Sequence, residues 1–246
     1  MKSKFKLGLT LFILGFLGIL TMLTASFGDI PAEALERFSP QAIKLLTLIN
    51  PTLMLFVAVA GGTALYNKVN LNVPTISSLL KIETPRVTFL EQLKYGMPLG
   101  LLAGILVMLI SFAFNSMIPQ EFKNLESEVE ITLLARFGYG GITEELLMRF
   151  GLMTFLVWGV SKITKRLNNT VYWIGISLTS IIFALGHFPM IFHVVSEPSA
   201  TILFYSLIGN SIAGLFFGWL YWKKGLESAM IAHLFAHVAM VSIGML

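Results

Sequence analysis

Apolar runs close to the ~20 residues that a helix needs to cross a bilayer recur from one end of this chain to the other, and they leave almost no sequence for a separate soluble domain. Charged residues make up 12% of the chain, against about a quarter in a soluble domain. The runs fall near residues 7–25, 43–66, 96–117, 141–160, 171–192, 199–222 and 227–246, which predicts an all-α, polytopic transmembrane bundle of about seven spans. It reads as one integrated membrane domain, with spans and a linker over 1–95 and a second part over 96–246. Residues 67–95, with Pro74 and Pro85, are the long connection. The stretch from Met1 to Leu23 has the layout of a secretory signal, but its length favours an uncleaved first span.

The chain carries a net charge of +4, yet its basic residues cluster at the ends of the apolar runs, as membrane topology demands, so nucleic acid is not an expected partner. With the N-terminus in the cytoplasm, inner segments hold Lys2, Lys4, Lys6, Lys68, Lys81, Arg86, Lys94, Lys162, Lys165, Arg166, Lys223 and Lys224. Outer segments hold Arg37, Lys44, Lys123 and Arg136 together with acidic residues such as Asp29, Glu33 and Glu126. This asymmetry predicts a multi-pass protein of the cell membrane with a cytoplasmic N-terminus. Residues 128–137 are expected to form an interfacial helix feeding the fourth span. There is no cysteine, which removes thiolate metal ligands and a cysteine nucleophile.

Ionisable residues inside spans are costly and usually face a protein interior or a hydrated cavity. Here they concentrate in the second part. Glu145 and Arg149 are four apart on the fourth span with the acid on the N-terminal side, so they are expected to neutralise each other. Glu144 is turned about 100° away on an α-helix and is the freer carboxylate, suited to general acid or base work. The structural alternative has Thr143 capping a helix whose first turn holds both glutamates. His187 lies two residues before Pro189, near the end of the fifth span, where water access is easier to arrange. His233 and His237 share one face of the seventh span, a spacing that suits a divalent metal or two donors converging on one oxygen. His193 is expected to be interfacial. Gly209, Gly214 and Gly218 on the sixth span point to close helix packing, and Asn210 among them needs a polar partner.

With those residues in hand, the chain resembles the CAAX protease and bacteriocin-processing family of intramembrane endopeptidases from about Gly140 to Val241. The resemblance rests on three ordered motifs: E-E-x-x-x-R at Glu144, Glu145 and Arg149, F-x-x-x-H at Phe183 and His187, and a third beginning at His233. The run from Phe217 to Leu226 looks like that family's approach to the third motif. The resemblance implies that residues 96–246 are the catalytic part, with a motif core over 140–241. It implies further that Glu144 and His187 activate a water, that His233 and His237 stabilise the oxyanion, and that Glu145 and Arg149 order the site.

The third motif departs from the family pattern, since its last position, usually Asn or Asp, is His237. A neutral histidine still donates one hydrogen bond, so the oxyanion role survives. The change also completes a histidine set, His187, His233 and His237, that makes zinc an alternative to a metal-free site. The expected partners are the lipid bilayer and a peptide or membrane-protein substrate. Two other classes stay open from sequence: a proton-coupled transporter, which lacks the expected inverted repeats, and a non-catalytic immunity or scaffold protein.

Overall fold

The computed structural model describes residues 2–27, 35–85, 87–120, 122–123, 129–195 and 197–244. Asp29, Glu33, Arg86, Glu121, Glu126 and Glu128, on which part of the charge pattern rests, lie outside the described residues, as does the side chain of His193. Among the described residues the structure is helices joined by turns and short connections, with one two-residue antiparallel ladder, β1 (Ser26–Phe27) against β2 (Val129–Glu130). Its helices are α1 (Lys2–Leu20), α2 (Pro40–Leu46), α3 (Ile49–Leu65), α4 (Pro74–Leu79) and α5 (Phe89–Phe114), then α6 (Leu133–Thr164), α7 (Asn169–Leu185), α8 (Phe188–Val194), α9 (Ala200–Lys224) and α10 (Leu226–Ser242).

Six helical stretches among the described residues are long and apolar enough to cross a membrane, and α10 is a shorter apolar helix of 17 residues. Large apolar side chains face outward along these helices, with Phe112 81% exposed, a surface that water would not tolerate and lipid does. The chain is therefore a multi-pass membrane protein.

Three boundaries differ from the sequence expectation. The third span begins at Phe89 rather than at residue 96, because Thr88 accepts a hydrogen bond from the Glu91 N–H and starts the helix there. The fourth begins at Leu133, where the Thr132 hydroxyl accepts from the Ala135 N–H. The expected interfacial helix over 128–137 is replaced by β2 and this capped start, since Val129–Glu130 pair with the chain leaving α1.

Close approach at small residues organises the bundle, as expected where helices gain no hydrophobic advantage from association in lipid. The Thr143 hydroxyl donates to the Gly15 carbonyl at 2.8 Å, tying α6 to α1, so Thr143 is an interior contact and not a helix cap. Gly62 of α3 lies against Phe150 of α6, and Gly151 of α6 against Ala58 of α3. Gly214 and Gly218 of α9 pack on Ser180 and Ile176 of α7, which bears out their reading as packing positions. Along α5, Gly96, Gly100 and Gly104 face Ser228, Ala232 and Ala236 of α10, and this second stripe seats the helix that carries His233 and His237.

The N-terminal end of α10 is fixed by a polar network. The Gln92 amide donates to the Lys224 carbonyl and to Glu227, each at 3.0 Å, and Glu227 accepts from the Ile76 N–H of α4 at 2.8 Å. Gln92 also accepts from the Thr75 hydroxyl. Buried groups so satisfied set the height of α10 against its neighbours.

Candidate active site

Helix α6 does not keep one period. Residues Arg136–Glu144 and Leu146–Met153 are π-helical, with hydrogen bonds to the fifth residue instead of the fourth, a distortion frequent at functional sites. The glutamate pair sits at the junction of these two stretches.

Glu145 and Arg149 are both buried, and the arginine Nε lies 3.3 Å from the glutamate Oε2, so the pairing expected from spacing is present. Arg149 also donates from Nη2 to the Gly214 carbonyl at 3.1 Å, and its guanidinium carbon stands 5.5 Å and 5.4 Å from the ring centres of Phe183 and Phe217. Phe183, expected only as a motif position, is thus half of an aromatic clamp on the buried cation.

The other oxygen of Glu145 accepts from Nδ1 of His233 at 2.8 Å. That bond fixes the tautomer and turns Nε2 of His233 toward Glu144, whose Oε2 is 3.9 Å away. The His233 ring is stacked between Phe217 at 4.7 Å and His237 at 5.0 Å. His237 is held against α6, because Gly140 has no side chain there. A Cβ on Gly140 would come within 2.8 Å of His237 Nε2 and 3.7 Å of His233 Nε2. Sequence reasoning passed over Gly140, although the Gly140-Gly141 pair ahead of the glutamates was a visible signal. Among the described residues, His237 Nδ1 is buried without a hydrogen-bond partner.

His187 sits in the turn between α7 and α8, and its Nδ1 lies 3.0 Å from the Phe183 carbonyl, which leaves Nε2 as the working nitrogen. Together with Glu144 it lines a laterally open cavity of about 830 Å³ between α3, α6 and α7. Asn210 bonds back to the Ser206 carbonyl at 2.9 Å within its own helix, one turn from Gly214 where Arg149 is anchored.

The cavity walls are apolar apart from that end. Leu53, Val57 and Gly61 of α3 face Leu147, Leu152 and Phe155 of α6, with Ile182 of α7 beside them. The donor set does not fit zinc well. Among the described residues no group of three or more His, Asp or Glu side chains is arranged to hold a metal ion. His187 faces the cavity, whereas His233 and His237 are stacked on each other along α10.

No curated protein and no solved structure matches the chain. Residues 127–239, from just ahead of α6 into α10 and holding all three motifs, match the family model described as Rce1-like, type II CAAX prenyl endopeptidase, so over this stretch the chain is similar to that family.

Proposed function

We propose that the protein is an intramembrane endopeptidase of the cell membrane that hydrolyses a peptide bond in a membrane-associated peptide or protein, using water activated by Glu144 and His187. The family supplies the class of reaction, an endopeptidase working within the membrane. One observation carries the assignment of residues: Glu144 and His187 stand together at the polar end of an otherwise apolar cavity between α3, α6 and α7. A substrate segment drawn from the bilayer matches such walls, and its carbonyl would meet the carboxylate and the imidazole where the wall turns polar.

In this reading Glu144 takes a proton from water as the water oxygen bonds to the scissile carbonyl carbon. When the C–N bond breaks, the proton held by Glu144 passes to the leaving amine, directly or relayed through the lone pair of His187 Nε2. His233, tethered to Glu145, turns its Nε2 lone pair toward Glu144, an acceptor for the carboxyl once it has taken the water proton, with His237 stacked behind it. Arg149 pairs with Glu145 and holds it in place, which leaves Glu144 as the carboxylate free to react. No metal enters the proposal. The basic residues at the inner ends of the spans put the N-terminus in the cytoplasm.

The test is a pool of internally quenched fluorescent peptides, each with an apolar membrane-embedded segment, presented to the protein in liposomes. Glu144→Gln removes the base and should lower turnover by 10²-fold or more, with insertion and thermal unfolding unchanged. Cleavage by Glu144→Gln at the parent rate would end the assignment.

A further inference from the structure

The hydrogen-bonding side chains that line the cavity are Tyr139, Glu144 and His187. Two have roles above, and Tyr139 has none. His233 and His237, which family resemblance makes the oxyanion donors, are absent from the cavity lining and stack on each other along α10. His233 commits Nδ1 to Glu145, and His237 is packed against the backbone of Gly140. Tyr139 lines the same cavity as Glu144, on the side from which a substrate carbonyl would arrive.

Backbone geometry explains why. On an α-helix, residues five apart are separated by about 140° around the axis and do not share a face. Tyr139 and Glu144 are five apart within the π-helical stretch Arg136–Glu144, where hydrogen bonds join residues five apart and stack them one above the other. The distortion brings the phenol onto the side of the catalytic carboxylate, within electrostatic reach of Glu144. Among the described residues, the Tyr139 hydroxyl donates to no protein acceptor.

We infer that Tyr139 is a further catalytic residue, whose phenol donates a hydrogen bond from the cavity side to the scissile carbonyl oxygen as it becomes the tetrahedral oxyanion. The inference rests on the hydrolytic reading above. As the water oxygen bonds to the carbonyl carbon and one water proton moves to Glu144, the C=O π pair shifts onto oxygen, and that oxygen accepts from the Tyr139 O–H. No proton leaves the phenol. When the pair returns, the C–N bond breaks and the proton held by Glu144 goes to the amine, giving one carboxylic acid and one amine.

Tyr139→Phe keeps the ring and removes the donor. On a member of the quenched peptide pool that the parent protein cleaves in liposomes, it should lower kcat by roughly 10- to 100-fold, toward the 10²-fold or more attached to one oxyanion donor. KM should stay within about twofold, and the thermal midpoint should not move. A residue that only packs the cavity wall would leave kcat alone. Parent-like kcat in Tyr139→Phe, or a rise confined to KM, overturns the inference while an inactive Glu144→Gln leaves the hydrolytic reading standing. Activity retained in Glu144→Gln defeats that reading instead, and a parent protein inert toward the whole pool defeats both.

Discussion

Arg149 spends its charge inside the bundle at 1% exposure, where an unmatched guanidinium is among the costliest groups a membrane protein can hold. Its compensation is local: Glu145 one turn away, the Gly214 carbonyl and two aromatic faces. Truncating one partner of a buried pair leaves the other charge stranded, at a cost of about 3–5 kcal/mol. Arg149→Met is therefore expected to lower thermal stability in detergent by that amount, and adding Glu145→Gln should recover much of it, because the stranded carboxylate is gone. If Arg149→Met unfolds within about 1 kcal/mol of the parent, the buried pair is not a stabilising element of the bundle. The pairing was legible from a spacing of four. The bond from Glu145 to His233 was not, since it joins positions 88 apart and depends on how α10 is seated.

Helix α10 is seated by the glycine stripe of α5. A Cβ on Gly100 would run into the backbone of Ala232, one residue before His233, whereas a Cβ on Gly209 of α9 would meet nothing within 4 Å. Gly100→Leu should push α10 away, costing about 1–3 kcal/mol in thermal unfolding and moving His233 off Glu145. Gly209→Ala should be neutral or slightly stabilising, since alanine has the better helix propensity. Equal midpoints for the two variants would show that α5 and α10 are not closely packed. The stripe on α9 was legible because its glycines lie well inside an apolar run. That on α5 also lay inside its predicted run but was passed over, while Glu91 and Lys94 made residues before 96 look like a linker although Thr88 starts the helix earlier. The π-helical course of α6 had no signature at all. A period of 3.6 is the default for an apolar segment, and its departure here comes from contacts with α1, α3 and α10 that no local window contains.

At the scale of the whole molecule, the membrane-spanning all-α architecture and the order of the motifs were readable, because hydrophobic run length and motif spacing survive without tertiary information. The cavity was not, because it exists only where α3, from a part of the chain outside the family match, closes against α6 and α7. That origin makes it testable apart from the chemistry. Gly61 lines the cavity from α3, and a Cβ placed on it meets nothing within 4 Å, so the fold has room there for a larger side chain. Gly61→Leu should insert normally, with a thermal midpoint equal to or above the parent, since replacing an interior helix glycine relieves a cost of roughly 0.5–1 kcal/mol. The added side chain would project into the space assigned to the substrate's apolar segment. Cleavage of the quenched peptides should weaken through a rise in KM of about tenfold, the scale expected when one or two methylenes no longer fit an apolar pocket. Unchanged KM in a fully folded Gly61→Leu would mean that substrate reaches Glu144 by another route, and the part played by α3 would reduce to bracing α6.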